Sequence, residues 1–399
     1  MVLASPEARV SAATTMSPDL PYVEEISDRS ALTALSDEWT ALSERAQEAS
    51  IFSSWEWMQA WLASFQKSRP LAVLLARSEG RLVGILPLLG GYRRWPWNRG
   101  GLGVAMNKQS PCGSLLCEGD PLLFLEAALE HVSRTRGPTS LSLPQLPVAS
   151  PVVTALRVIG RDGRFRVRES ASRCSSRIRI ETSWEGYLAT RSKHVQKEWR
   201  RKRRRLEEAG RVEMRIVSDP EALPRAMADV FEIERHGWKH ESGSSFQTEE
   251  GLEQFYPRLA SLCARRGWLR LGLLHLDGRP VAHCFAVAHG NELLALKTSF
   301  DQRLANLSPG LALMLFVSQE AFRERLGAVD LLGHPDRWKL EMANEQLLHV
   351  DLSVFPKGLL ACEAFALLED HARPFLRGQL PPPLAKAGRR ILSSLRRDP

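Results

Sequence analysis

No apolar run in this chain approaches the ~20 residues that a membrane-crossing helix needs. The first twenty residues, Met1 to Leu20, lack a basic segment followed by an apolar block, so no secretion signal is read there and a disordered lead-in is expected. Cysteine is sparse and unpatterned: Cys112, Cys117, Cys174, Cys263, Cys284 and Cys362 form no Cys-x-x-Cys pair. Cys112 and Cys117 have no second pair to complete a zinc site, and the six read as buried free thiols of a reducing cytoplasm. No short-period repeat is present. Acidic residues are almost missing from one stretch, 191–205, which carries nine Lys/Arg against a single Glu.

What is present is enough for two domains of ordinary size. The chain has 399 residues, and its 44% hydrophobic content supplies a packed core and excludes bulk disorder. The net charge of +8 suits an anionic partner. That charge is local, lying in 191–205 and in a tail with Lys386, Arg389, Arg390, Arg396 and Arg397. Within 191–205, Val195, Trp199 and Leu206 fall near helical spacing, so the run reads as an amphipathic helix. Its cations form a solvated face, a surface for an anionic substrate or membrane, or a nucleic-acid site. The tail has Ile391, Leu392 and Leu395 among its arginines, a pattern suited to acidic lipid or to a frayed end.

Periodicity gives a mixed reading of both halves. In the first, Ser30 to Gln47 is helical, with Leu32, Leu35, Trp39 and Leu42 on one face. Ser53 or Ser54 can cap a second helix that sets Trp57 and Trp61 one turn apart as core residues. Ser78-Glu79-Gly80 separates strands 71–76 and 81–89, 93–103 reads as a loop, helices cover 121–132 and 152–159, and a strand covers 140–143. The second half repeats the grammar: a strand at 177–180, helices at 184–208, 221–239 and 248–265, and strands 268–276 and 280–289 across Asp277-Gly278. A strand ending at Phe300, a helix from Pro309 to about Arg325, a strand at 328–332 and a last helix near 359–376 follow. Pro381-Pro382-Pro383 cuts that helix off from the basic tail.

The most informative segment is 291–314. A strand runs into a polar loop that closes on Ser308-Pro309-Gly310, and an apolar helix follows. Serine at the N-cap and proline in the first turn are helix-start signals. The exposed N–H groups of such a start form an anion site, and the same residues also serve capping alone.

Several blocks in fixed order carry a family resemblance: Phe52-Ser53-Ser54-Trp55-Glu56-Trp57 with Trp61; Gly84-Ile85-Leu86-Pro87-Leu88; Ser192-Lys193 leading to Arg200-Arg201 and Arg204-Arg205-Leu206; and Gly237-Trp238-Lys239. Asp277-Gly278-Arg279-Pro280-Val281-Ala282, Leu296-Lys297-Thr298-Ser299-Phe300-Asp301 with Ser308-Pro309-Gly310, and Asp330-Leu331-Leu332-Gly333-His334-Pro335-Asp336-Arg337-Trp338-Lys339 complete the set. In these blocks the chain resembles the GNAT superfamily, in its double-domain CelD/BcsL-like branch, distant relatives of the FemAB aminoacyl transferases. The resemblance implies an α/β (α+β) fold of two tandem GNAT-like domains, each a mixed, mostly antiparallel sheet flanked by helices. It divides the chain into a lead-in at 1–20, a first domain at 21–172, a catalytic second domain at 173–356, and a helix with basic tail at 357–399. It further implies a cytoplasmic acyltransferase, peripheral to the inner membrane through the tail. Acetyl-CoA or another acyl-CoA would be co-substrate without a metal, and the acceptor a small amine or a lipid- or sugar-linked envelope or exopolysaccharide precursor. One departure stands out. Typical members place Gln/Arg-x-x-Gly-x-Gly/Ala before the helix, whereas the loop from Gln302 keeps only Gly310, so fewer backbone donors would face a pyrophosphate.

Acyl transfer needs a held donor, an N–H facing the carbonyl oxygen, and a base. For holding the donor, the candidates are Ser308 and Gly310 supported by Asn306 and Arg303. The backbone around Lys297, Thr298 and Ser299 would run along the donor arm, as the family implies. Asp330, His334 and Asp336 are candidate bases. Trp238, Lys239, Trp338 and Lys339 are candidate acceptor contacts; Lys339 could equally salt-bridge to Asp336, and Lys239 could simply complement a helix end. Two alternatives stay open: a FemAB-like transferase using charged tRNA bound by the basic helix, and a non-catalytic adaptor for an acidic polymer or membrane.

Overall fold

A computed structural model describes residues 20–66, 69–92, 101–110, 115–237 and 250–357. The first half runs β1 (Tyr22–Ile26), α1 (Arg29–Ala34), α2 (Ser36–Arg45), α3 (Trp55–Phe65), β2 (Leu71–Ser78), β3 (Arg81–Tyr92), β4 (Gly101–Val104), β5 (Leu116–Cys117), α4 (Pro121–Arg136), β6 (Leu141–Pro147), α5 (Pro151–Asp162) and β7 (Phe165–Arg179). The second runs α6 (Trp184–Thr190), α7 (Lys193–Glu208), β8 (Val212–Val217), α8 (Leu223–His236), α9 (Leu252–Arg265), β9 (Leu269–Leu276), β10 (Arg279–His289), β11 (Glu292–Phe300), α10 (Pro309–Arg323), β12 (Ala328–Asp330), α11 (Arg337–Met342) and β13 (Glu345–Pro356).

Local chemistry accounts for most of these boundaries. Ser54, Asp120, Ser150, Ser183 and Ser192 each accept a backbone N–H at the start of a helix, which satisfies a donor the helix cannot pair internally. The Ser192 cap starts α7 anew, so the helix expected over 184–208 is two. The helix expected over 30–47 is likewise two, because Asp28 caps α1 and the chain turns at Leu35 before α2. Glu79-Gly80 and Asp277-Gly278 both hold two successive left-handed residues, the geometry of tight hairpins with matching twist. The expected loop at 93–103 gives way to strand β4 from Gly101, and β7 begins twelve residues before the expected Arg177. Cys263 and Cys284 are buried, whereas Cys117 and Cys174 are only half-buried. The lead-in before residue 20, Cys112, Cys362, the helix expected near 359–376 and the basic tail lie outside the described residues.

All the described strands join one mixed, mostly antiparallel sheet in the order β1-β2-β3-β4-β6-β13-β7-β12-β11-β10-β9-β8, with β5 appended to β3. The order is a palindrome of two units. In the first, β4 pairs parallel with β6; in the second, β11 pairs parallel with β12. The last strand of each unit is exchanged: β13 lies against β6, and the far end of β7 lies against β12, with β7 and β13 paired along their length. The boundary expected at 172/173 falls inside β7.

The fold has an inner and an outer face. Helices α1–α3, α8 and α9 fill the inner face in one core shared by both halves, with Trp57, Trp61, Phe255, Tyr256 and Phe285 at its centre. Trp57 meets Phe255 edge-on at 5.1 Å between ring centroids, so the expected core role of that tryptophan joins the two units. Outer cores lie under α4 and α5 in the first half and under α6, α7 and α10 in the second.

Candidate active site

Strand β11 is built to leave its neighbour. Residues Glu292, Leu293 and Leu294 pair with Ala328, Val329 and Asp330 of β12, and there the parallel pairing stops. β12 continues beside β7 instead, Leu331 N–H bonding Ser176 O at 3.0 Å. A wedge therefore opens beyond the Leu294–Asp330 pair. On its other edge β11 keeps β10, but the register shifts: Phe285 pairs with Lys297 and Ala286 with Ala295, leaving Leu296 as an inserted residue. This bulge bends the strand and re-aims the side chains after it. Opposed residues share a sheet face, so Lys297 lies with Phe285, Ser299 with His283, and Asp330 with Leu294. Phe285 and Leu294 belong to the inner core, so Asp330, Lys297 and Ser299 all face inward.

The outer side of the wedge holds the residues expected to grip a donor. Asp301 accepts the Arg303 N–H and starts a 3₁₀ turn, Gln302–Leu307, that leads into α10. Arg303 is turned back on Asp301 in a bidentate ion pair at 2.6 Å, which holds the Asp301 carboxyl below the usual range. Arg303 is thus engaged at the root of the turn. Asn306 is exposed on the turn. Ser308 is left-handed (φ 55°) and makes no side-chain cap, a departure from the expected serine N-cap. Gly310 sits with the Phe300 ring where its Cβ would be, 3.0 Å from the nearest ring carbon, and so lets strand and helix start approach closely. The basic helix α7 packs beside this turn and α10. Its apolar side, Trp199 and Leu206, joins the outer core. Glu198, Glu207 and Glu208 pair with Arg201, Arg203 and Arg204. Lys193, Lys197, Arg200 and Arg205 have no acidic partner among the described residues, while Lys202 acts on Glu198 through its charge.

At the end of β12 the expected residues divide. Asp330 is 7% exposed and accepts the Leu332 N–H at 2.8 Å. Burial pushes its carboxyl up to about 6, with Glu292 adding to the rise and Arg177 and Arg173 opposing it. Lys339 folds back over the turn, its Nζ donating to Leu332 O at 2.6 Å, and burial lowers its pKa. That turn carries two left-handed residues, Leu332 and Gly333. Trp338 lies against the Lys339 ammonium, 5.5 Å from ring centroid to nitrogen. His334 and Asp336 stand apart, with side chains 86% and 57% exposed and 3.8 Å between Nδ1 and Oδ1. Asp336 occupies the N-cap of α11 without a side-chain cap bond. Trp238 and Lys239 lie outside the described residues.

The inner face adds residues that sequence reasoning did not single out. Glu234 of α8 is fully buried and sits 2.8 Å from Nε2 of His283 on β10. Its second oxygen is 4.0 Å from Nζ of Lys297, which is itself 7% exposed. The Lys297 ammonium also lies 5.8 Å from the Tyr256 ring centroid, and the Tyr256 hydroxyl bonds Gln109 Oε1 of the first half at 2.9 Å. Ser299 is buried, and Gly237 at the end of α8 leaves room for its hydroxyl: a Cβ there would come within 2.6 Å. Glu234 and His283 are 49 positions apart. Only the burial of a charged residue inside the apolar face of α8 hinted at them.

Comparison with known proteins bears on the fold. Residues 193–340 match the family described as acetyltransferase (GNAT) domain. No curated protein matches the sequence. Among solved structures, that of FemX superposes with a TM-score of 0.54 at 11% identity, covering 83% of this chain and 96% of the other. The C-terminal domain of a putative lysylphosphatidylglycerol synthetase from Agrobacterium fabrum gives 0.52 at 12%, covering 84% and 96%. A conserved protein of unknown function from Bacteroides thetaiotaomicron gives 0.51 at 16%, covering 81% and 97%. The chain therefore carries a GNAT-type acetyltransferase domain across residues 193–340, within a fold similar to those of FemX and the synthetase domain.

Proposed function

We propose that this protein is an acyl-CoA-dependent N- or O-acyltransferase of the CelD/BcsL-like branch, acting in the cytoplasm on an amine or hydroxyl of an envelope or exopolysaccharide precursor. The observation that carries the reading is the separation of β11 from β12 beyond Leu294 and Asp330, next to the Leu296 bulge. A donor arm laid in that wedge brings its carbonyl to the vertex, with its phosphates toward the turn at 302–307 and the start of α10. Asp330 serves as the base: a carboxyl at about 6 is ionised near neutral pH yet basic enough to take a proton. The acceptor attacks the carbonyl carbon, its proton passes to Asp330, the carbon–sulfur bond breaks, and the sulfur leaves with its electron pair and that proton. Titration of CoA and acetyl-CoA, with Gly310→Glu as control, tests the reading. Saturable binding that Gly310→Glu abolishes is expected; no saturable binding of any acyl-CoA removes the reading.

A second reading is favoured by α7. Four of its cations have no acidic partner among the described residues, and the helix lies beside the same turn. A FemAB-like enzyme would bind a charged tRNA there. It requires tRNA affinity that falls steeply with salt and is lost when Arg200, Arg201, Arg203 and Arg204 are neutralised.

A further inference from the structure

We propose that Lys297 is a catalytic cation for this reaction, stabilising the carbonyl oxygen as it becomes an oxyanion, and that Glu234 and His283 are positioning residues that keep its ammonium charged inside the protein. The inference rests on the wedge reading and deepens it.

Three placements carry the argument. Lys297 follows the bulge on β11 directly, on the same inner face as Asp330. Ala295 and the inserted Leu296 separate it from Leu294, so base and cation flank the vertex from two strands. An ammonium this buried keeps its charge only with a counter-charge and directed hydrogen bonds. Glu234 supplies that charge 4.0 Å away, and its own burial is made tolerable by His283, whose Nε2 holds the other carboxylate oxygen at 2.8 Å. The Tyr256 ring lies 5.8 Å from the ammonium and adds attraction from α9. Among the described residues, Glu234 from α8 and the Tyr256 ring from α9 face the ammonium, His283 from β10 acts through Glu234, and Ser299 shares the inner face of its own strand. Gln109 acts at one remove, through the Tyr256 hydroxyl.

The chemistry balances without a further reactant. The acceptor lone pair forms the new bond to the carbonyl carbon, and the C=O pair moves onto oxygen beside the ammonium. Lys297 stabilises that charge and retains its proton. The C=O re-forms, the bond to the carrier breaks, and the leaving sulfur takes its electron pair and the proton held by Asp330. A preorganised cation in a water-poor site acts here as backbone donors do in an oxyanion hole.

Two measurements on the full chain test this. Competitive trace labelling with acetic anhydride, read by peptide mass spectrometry over a pH series, gives the titration midpoint of the Lys297 amine without any substrate. Glu234→Gln is expected to lower that midpoint by about one unit or more, and His283→Gln by less. Stopped turnover with the acyl-CoA found by titration gives the second. Lys297→Met should lower kcat about 10²–10³-fold with donor Kd unchanged, and Lys297→Arg should recover part of it. An unchanged midpoint in Glu234→Gln, or Lys297→Met within threefold of wild-type kcat, overturns the proposal. Should no acyl-CoA bind, the wedge reading itself falls, and the labelling midpoint alone still decides whether Glu234 maintains the charge. If Glu234→Gln does not fold, His283→Gln and Lys297→Arg carry the same comparison.

Discussion

Burial pushes the Asp330 carboxyl up from 3.8 to about 6 in the fold. A carboxyl raised in this way contributes its full share of stability below its unfolded value of 3.8 and loses it as pH rises through about 6. Asp330→Asn should therefore stabilise the protein against urea at about pH 8, by up to about 3 kcal/mol, with the gain vanishing below about pH 4. The same substitution should lower kcat about 10²–10⁴-fold and abolish the rise of activity through pH 6. His289 and His349 act in the opposite sense. Burial holds both down to about 4 from 6.5, so their contribution is full above 6.5 and is lost as pH falls toward 4. His349→Gln should flatten the fall of melting temperature over that interval. Asp330 and Lys339 were singled out in the sequence within a block that follows a short apolar strand, and Lys297 only for its backbone, as the family resemblance implies. Glu234 and His283 were not, because their pairing exists only once α8 is laid across β10.

Bulges and helix faces obey a coarser logic. Deleting Leu296 would restore an unbroken register between β10 and β11, keeping Lys297 opposite Phe285 but removing the bend that opens the wedge. Such a variant should melt below wild type and lose donor binding, measurable by calorimetry and titration. Helix α7 offers the converse case. Replacing Lys193, Lys197 and Arg200 by glutamine touches exposed side chains, so stability should move within about 0.5 kcal/mol while the salt dependence of polyanion binding becomes shallower. The amphipathic spacing of α7 was readable from Val195, Trp199 and Leu206. Strands β8 and β13 were not read. Val212–Val217 and Glu345–Pro356 alternate charged and apolar residues too briefly to announce themselves. The long β7 is mostly polar, whereas its partner β13 buries Val350, Leu352, Val354 and Phe355.

The two units are legible as a repeated grammar, but their exchange of last strands is not, since no local pattern tells β13 to seek β6. Cutting the chain after residue 180 should yield a first fragment that aggregates, with β6 and β7 exposed as unpaired edges. Co-expression with the remainder should restore a soluble complex, detectable by size-exclusion chromatography. The exchange also sets an order of events during synthesis. The ribosome has passed residue 345 before the neighbour of β6 exists, so the first unit stays incomplete until the second has been made. Nascent chains should therefore engage a holding chaperone until the last strand emerges, and a rare-codon pause inserted ahead of residue 345 should prolong that engagement.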